Sequence, residues 1–176
     1  FRTALEYVKA RKPRVLYLSL GETDEWSHAG KYDKYLLAAN RVDAYLKELW
    51  ETLQSMDQYR GKTTLIFVPD HGRGKAPVEW TSHGQKIPDS KYIWMAFLGP
   101  DTPALGERSK VEAVTQDQVA ATLASFLGKD YAASQPKAAP TGESEAPSEL
   151  ISQTRDEYVE PEEQYAPATA KAGSRP

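Results

Sequence analysis

The sequence predicts an α/β fold, with a mostly parallel sheet that carries helices on both faces. Short apolar runs, which suit buried strands, alternate along the chain with longer segments of helical periodicity. The apolar runs are 14–21, 63–69 and 91–100, and the main periodic segments are 32–56 and 115–128. Alternation of this kind is typical of layered domains in which helices connect parallel strands.

The first half of the chain supplies two helices and one strand of this prediction. Residues 2–11 are predicted to be helical, and Pro13 ends the helix because proline has no backbone N–H to donate. The run 14–21, RVLYLSLG, is apolar and ends in glycine, which predicts a strand buried on both faces. From Tyr32 to Met56, apolar residues recur every three or four positions between charged ones, which predicts a long amphipathic helix.

The second half supplies two strands, a loop and a helix. The segment 63–69, TTLIFVP, is predicted to be a second buried strand, and 91–100, KYIWMAFLGP, a third strand that Gly-Pro closes. Between them, residues 70–91 have no periodicity and predict a long loop, which in a compact domain is usually functional. The segment 115–128, TQDQVAATLASFLG, predicts a helix with Thr115 as its N-cap.

Composition divides the chain into a domain at 1–130 and a tail at 131–176. The tail is rich in Ala, Pro, Ser and Glu and carries eight acidic and four basic residues, so we expect it to be disordered. The whole-chain charge of −3 then leaves +1 for the domain, which lacks the basic footprint of nucleic-acid binding. No run approaches the roughly 20 apolar residues of a membrane helix. The lack of cysteine and the tail slightly favour an exported protein.

All three histidines of the chain lie beside carboxylates or glycines near predicted strand ends. Ligands of open α/β sheets bind at the carboxyl ends of the strands, so we expect these side chains to gather at one edge. Imidazole and carboxylate are ligands that suit zinc and related divalent ions. Taken singly, each histidine is better explained as a surface or hydrogen-bonded residue, but together they predict a metal site. The candidate ligands are Asp24, His28, Asp70, His71 and His83.

Spacing gives a first idea of how these ligands are arranged. Asp24 and His28 are four residues apart, so they face the same ion if their segment forms a turn of helix. Asp70 and His71 are adjacent, and neighbouring side chains of an extended segment point apart. This second pair therefore either serves separate faces or bridges two ions.

The order of the motifs DEWSHAG, DHG and HG resembles the C-terminal half of the alkaline phosphatase superfamily. That superfamily includes phosphatases, nucleotide pyrophosphatase/phosphodiesterases, cofactor-independent phosphoglycerate mutases and sulfatases. The segment VTQDQVAATLASFLG is similar to its helix near the end of the catalytic domain, and YIWMAFLGP resembles the preceding strand and turn. The resemblance covers about residues 14–128. The glycine match after His28 is looser than the ligand match.

The resemblance implies two divalent metal ions, with zinc favoured and manganese as the alternative. It assigns Asp24, His28 and His83 to one ion, and Asp70 and His71 to the other. In the superfamily, the second ion also takes an aspartate from the N-terminal half, and a Ser or Thr nucleophile follows that aspartate. We therefore expect the domain to be the C-terminal part of a larger catalytic domain that is inactive without the rest.

The activity implied by the resemblance is hydrolysis of small-molecule phosphate or sulfate esters. Arg73, directly after DHG, would clamp a non-bridging oxygen of the substrate, and a solvated loop arginine is the equal alternative. A phosphomutase of the same superfamily would use the same ligands, although no inserted domain separates Asp24 from His83. A non-catalytic metal-binding domain would explain the missing nucleophile. The sequence leaves substrate and oligomeric state open.

Overall fold

The computed structural model describes residues 1–109, 111 and 113–134. Within these residues the chain is mostly helical and carries one small sheet. The elements in chain order are α1 (Arg2–Arg11), α2 (Glu22–His28), α3 (Tyr32–Ser55), β1 (Leu65–Phe67), β2 (Ala96–Leu98), α4 (Gln118–Phe126) and α5 (Tyr131–Ser134). Two 3₁₀ turns, Glu79–Thr81 and Pro88–Lys91, lie between the strands. Helix α5 opens the predicted tail, and its remainder, from residue 135, lies outside the described residues.

The predicted helices of the first half are confirmed almost to the residue. Helix α1 ends at Arg11, and Lys12 then adopts a left-handed conformation with φ of 49°. Its backbone N–H donates to the carbonyl oxygen of Val8 at 2.9 Å, which satisfies one of the last free carbonyls of the helix before Pro13. Helix α3 spans 24 residues, as the apolar periodicity predicts.

The predicted parallel sheet is not what the described residues form. Strands β1 and β2 pair antiparallel, with Leu65 opposite Leu98 and Phe67 opposite Ala96, and they form a two-stranded sheet. A parallel pair needs a crossover connection, usually a helix, that returns the chain to the end of the sheet at which the first strand began. The connection from 68 to 95 holds only the two 3₁₀ turns, so the chain returns in the opposite direction.

The segment 14–21 was predicted to be a strand buried on both faces, and the structure gives neither the strand nor the burial. It has no helix or strand assignment, and Val15, Leu16 and Tyr17 are 48%, 38% and 89% exposed. A strand needs a neighbour whose N–H and C=O groups pair with its own. Within the described residues, the sheet does not extend to this segment.

The hydrophobic core joins α1 to the C-terminal half of α3. Leu5 and Val8 of α1 pack with Leu49 and Leu53 of α3, and Tyr59 closes the cluster. The Tyr59 hydroxyl donates a hydrogen bond of 2.8 Å to the carbonyl oxygen of Pro13. This core therefore fixes the end of α3 that lies away from α2.

Helix α4 begins later than predicted. It starts at Gln118, and Thr115 does not cap it, because the N-cap residue is Asp117. Just before the helix, the Gln116 side chain donates to the carbonyl oxygen of Asp70 at 3.2 Å. The segment that leads into α4 is thereby tied to the residues that follow β1. None of the helices in the described part of the chain has the length and apolar character needed to cross a bilayer.

Candidate metal centre

Helix α2 presents Asp24 and His28 on one side, as their spacing predicts. The helix has an acidic first turn, which suits the positive end of its dipole. Asp24 and His28 are one turn apart, and Asp24 Oδ1 lies 3.4 Å from His28 Nε2. The helical turn on which a shared ion depends is therefore present, and it brings a carboxylate oxygen and an imidazole nitrogen together.

The other two histidines reach the same carboxylate oxygen from the long loop. Asp24 Oδ1 lies 3.6 Å from His71 Nε2 and 3.7 Å from His83 Nε2. The rings of His71 and His83 are stacked, with centroids 3.7 Å apart and an interplanar angle of 14°. The Nε2 atoms of His83 and His28 are 3.0 Å apart. Three imidazole nitrogens thus surround one carboxylate oxygen.

The hydrogen bond of His71 fixes which of its nitrogens is free. His71 Nδ1 lies 2.9 Å from the carbonyl oxygen of Gly72. A carbonyl oxygen only accepts, so Nδ1 carries a proton, and in the neutral ring Nε2 then keeps its lone pair. Metal-binding histidines are usually oriented in this way, with the second ring nitrogen donating to a carbonyl or carboxylate oxygen.

The spacing of these atoms fits a divalent ion. Bonds of 2.0–2.2 Å in a tetrahedral zinc site place the ligand atoms roughly 3.3–3.6 Å from one another. The measured separations around Asp24 run from 3.0 to 3.7 Å. Ligand atoms of Asp24, His71 and His83 also lie mutually within 4.8 Å, as one shared ion requires.

Asp70 lies at the edge of this group. Its side chain is 86% exposed, and its Oδ1 is 3.7 Å from His71 Nε2. The same oxygen accepts the backbone N–H of His71 at 3.1 Å. All five predicted ligands are therefore neighbours, but the three histidines converge on Asp24, while Asp70 contacts only His71 among them. His71, which the resemblance pairs with Asp70, lies equally close to the other set.

Helix α2 is held in place by contacts that the sequence did not suggest. Ser27 is fully buried, and its hydroxyl donates to the carbonyl oxygen of Trp80 at 3.2 Å. The Trp80 ring packs edge-on against Tyr32 and Tyr35, at 5.3 and 6.0 Å between centroids. These contacts join α2, the start of α3 and the turn that precedes His83. The local sequence gives one signal that this contact matters for the site, which is that Ser27 directly precedes the candidate ligand His28.

The loop that carries His71 and His83 is closed on itself by backbone contacts. The N–H of Gly72 donates to the carbonyl oxygen of Ser90 at 2.7 Å, and that of Gly74 to Ser82 at 3.1 Å. A side chain at Gly72 would collide with the carbonyl oxygen of Tyr92, so the close approach requires glycine. The hydrogen bonds of Ser90, also missed from sequence, thus help to fix the relative positions of the two histidines.

Arg73 forms an ion pair with the central carboxylate. Its Nη2 donates to Asp24 Oδ1, and its side chain is only 15% exposed. Its Nη1 is buried and has no hydrogen-bond partner within the part of the chain that the structure describes. The solvated loop arginine considered from the sequence is therefore not what the structure contains.

A family model described as the Metalloenzyme superfamily matches residues 1–129. The chain belongs to this superfamily. The Metalloenzyme superfamily is part of the alkaline phosphatase-like superfamily, so the resemblance read from the sequence is confirmed. No curated protein and no solved structure matches the chain.

Membership of the Metalloenzyme superfamily establishes the general chemistry. It indicates a metal-dependent enzyme of the phosphatase or mutase type and implies divalent metal binding. The cluster around Asp24 is the place in the described residues where the donor set and spacing suit such an ion.

Proposed function

We propose that this chain forms part of a two-metal hydrolase that cleaves phosphate or sulfate esters of small molecules. Zinc is the proposed metal, because imidazole and carboxylate ligands suit it, and manganese is the alternative. The proposed ligands are Asp24, His28, Asp70, His71 and His83. These five side chains would hold the ions on which the metal-dependent chemistry of the superfamily depends.

The observation that carries the proposal is the convergence of three imidazole nitrogens on Asp24 Oδ1. Imidazole nitrogens gathered around a carboxylate oxygen at these separations have the donor set and spacing of a divalent-ion site, beside which the Arg73 guanidinium supplies a further positive charge. His71 already has the tautomer that leaves Nε2 free, through its contact with Gly72. Asp70, whose exposed carboxylate is adjacent to His71, would help to hold the second ion.

A bound divalent ion would polarise an ester oxygen and lower the pKa of a hydroxyl nucleophile. The residues of this chain hold that ion and orient its ligands. Ser27 and Trp80 tie helix α2 to the loop. The Gly72 and Gly74 contacts fix the loop itself.

The nucleophile and one further aspartate ligand are proposed to come from residues outside this sequence. The superfamily resemblance places both in the N-terminal half of the catalytic domain. Exposure of the apolar segment 14–17 and of Phe97 and Leu98 in β2 supports this, because large apolar surfaces are usually covered by other polypeptide.

We prefer hydrolysis of an ester to transfer of a phosphoryl group from one position to another within a substrate. Phosphoglycerate mutases of the superfamily use an inserted substrate-binding domain, and residues 24–83 connect the ligands without one. The test assays the intact protein with aryl phosphate, phosphodiester and aryl sulfate substrates. Activity is measured after the metal is removed by chelation and again after zinc is restored. The proposal expects ester cleavage that disappears with chelation and in His71→Ala and His83→Ala. Cleavage that survives chelation, or survives both substitutions, would contradict it.

A further inference from the structure

Basic side chains are concentrated where the end of α1 meets the turn that follows α3. The segment 9–14, KARKPR, carries four basic residues and no acidic one. The segment 57–62, DQYRGK, carries two more basic residues and a single aspartate. We call the two segments together the basic patch. Its six basic residues are all exposed, and they are Lys9, Arg11, Lys12, Arg14, Arg60 and Lys62.

Hydrogen bonds hold the two segments of the basic patch together. The Gln58 side chain donates to the carbonyl oxygen of Lys12 at 3.2 Å, and the Tyr59 hydroxyl donates to that of Pro13 at 2.8 Å. Tyr59 itself belongs to the hydrophobic core. The charges of the two segments therefore lie on one surface, and that surface is anchored to the packed part of the molecule.

Most of this positive charge is not neutralised within the described residues. Lys9 pairs with Glu6 at 2.8 Å, and Arg60 pairs with Asp57 at 3.2 Å. The other four basic residues of the patch form no ion pair with any residue that the structure describes. The dipole of α1 favours cations in its last turn, but this accounts only for the residues up to Arg11. A surface with such an excess of positive charge attracts acidic polypeptide.

The same chain carries an acidic segment of opposite charge. All eight acidic residues of the tail lie within 143–163, together with one basic residue. The run 156–163, DEYVEPEE, holds five of them and no basic residue. This run lies outside the described residues, and residues 135–155 connect it to the end of α5 at Ser134. A connection of that length spans up to roughly 70 Å, whereas a compact domain of about 130 residues is roughly 35 Å across.

From this complementarity we infer that the run 156–163 docks on the basic patch of its own chain. Tethering favours this partner over a nucleic acid or a membrane, because a linked segment has a local concentration on the order of millimolar. Ion pairs at an exposed surface are individually weak, so the contact depends on several of them and on low salt.

The docked segment would leave the candidate metal centre open. The basic patch lies at the C-terminal end of α3, whereas Trp80 packs against Tyr32 and Tyr35 at its beginning. The 24 residues of the helix separate these two ends by roughly 36 Å. The contact is therefore independent of the proposed function, and zinc binding should be the same whether or not the segment docks.

The test uses the lack of cysteine in the chain, since a single introduced thiol then carries a spin label at one known position. The label is attached to Gln164→Cys, directly after the acidic run, in the 176-residue chain. Its effect on backbone amide signals is measured by NMR. We expect the amides of the basic patch to lose signal intensity at low salt. The intensity should return at about 0.5 M salt, where the Debye length falls to about 4 Å.

Two sets of charge variants identify the partners. Replacing the five acidic residues of 156–163 by Asn and Gln should abolish the signal loss. Neutralising the patch with Arg11→Gln, Lys12→Gln and Arg14→Gln together should abolish it as well. The matched control removes three exposed lysines elsewhere on the surface and should leave the loss unchanged, and its substitutions are Lys31→Gln, Lys34→Gln and Lys86→Gln.

The inference is overturned if the label leaves the patch amides unaffected at low salt, or if signal loss is spread evenly over the surface. Loss that survives neutralisation of the acidic run would overturn it too. If the patch amides ignore the label but shift on addition of an oligonucleotide or of anionic lipid vesicles, the patch serves that partner instead. Zinc titration of the same variants keeps this result separate from the proposed function, since none of the substituted residues is a proposed ligand.

Discussion

At the scale of single residues, Asp24 is the centre of the candidate site. Its Oδ1 faces His28, His71, His83 and Arg73, whereas Asp70 contacts only His71 and is largely exposed. The two aspartates look alike in sequence, since each lies close to a histidine. The position of Asp24 one helical turn before His28, which the spacing suggested, brings these two side chains together. The approach of His71 to Asp24 could not be predicted from sequence, because it depends on the path of the loop.

Substitution of the two aspartates should therefore have unequal effects. We expect Asp24→Asn to weaken zinc binding by more than about 100-fold, because it removes the charge that all three imidazoles share. Asp70→Asn should cost less than about 10-fold at the tighter site and act mainly on the second ion. Calorimetric titration with zinc measures both, with Asp57→Asn as an exposed control. Equal losses in the two variants would contradict the central position of Asp24.

Burial changes the ionisation of Tyr59. Loss of solvent raises the pKa of its hydroxyl above the usual value near 10, so the folded chain favours the neutral form. Well below pH 10 the hydroxyl is neutral in both the folded and the unfolded chain. As the pH rises through the folded pKa, the unfolded chain ionises first, and the free energy of unfolding falls.

Tyr59→Phe should lower the free energy of unfolding by roughly 0.5–1.5 kcal/mol at neutral pH, because the carbonyl of Pro13 loses its donor. The difference between variant and wild type should shrink above about pH 10, since phenylalanine has no proton to lose. Urea unfolding at several pH values measures this, with the exposed Tyr17→Phe as control. A difference that stays constant to pH 11 would show that the Tyr59 hydroxyl does not ionise differently in the fold.

At the scale of elements, the link between α2 and the loop is a single buried hydroxyl. We expect Ser27→Ala to weaken zinc binding about 3- to 30-fold, because Trp80 loses its hydrogen bond and α2 is no longer held to the turn before His83. Ser55→Ala is the control, since its hydroxyl bonds only within α3. Zinc titration of both variants is the measurement. An unchanged affinity in Ser27→Ala would mean that the aromatic contacts of Trp80 suffice.

The loop 70–91 depends on close backbone approach at Gly72. Gly72→Ala should lower the free energy of unfolding by roughly 1–3 kcal/mol, because its Cβ would collide with the carbonyl of Tyr92. Gly21→Ala is the matched control, since nothing lies within 4 Å of its added Cβ and its φ is −96°. Chemical denaturation measures both variants. Equal stability of the two would contradict the packing described for the loop.

The helices could be predicted from sequence, and the sheet could not, for one physical reason. A helix such as α3 satisfies its backbone hydrogen bonds internally, so periodicity alone locates it. A strand depends on a partner elsewhere in the chain. The apolar run 14–21 suits a strand buried on both faces, yet the described residues offer it no neighbour. The same dependence explains why β1 and β2 are shorter than their apolar runs and why their direction was mistaken.

At the scale of the whole molecule, the order of chemistry-bearing residues carried more information than composition did. The motifs around His28, His71 and His83 identified the superfamily, and the match to residues 1–129 confirms it. That the five candidate ligands lie close together was predicted, although not for the reason expected, because the segment before Asp24 is not a strand and the sheet is antiparallel. Which of these ligands lie together around Asp24 was not predicted, since the stacking of His71 on His83 depends on how the loop folds back.

The measurement that tests the central claim most directly is zinc binding by the 176-residue chain and its His28→Ala, His71→Ala and His83→Ala variants. Stoichiometry is read by elemental analysis and affinity by calorimetry. We predict one or two ions for wild type and a weaker Kd in every variant, with Asp57→Asn unchanged. Wild type without bound zinc or manganese, or three variants that bind the ion as tightly as wild type, would contradict the metal centre proposed around Asp24.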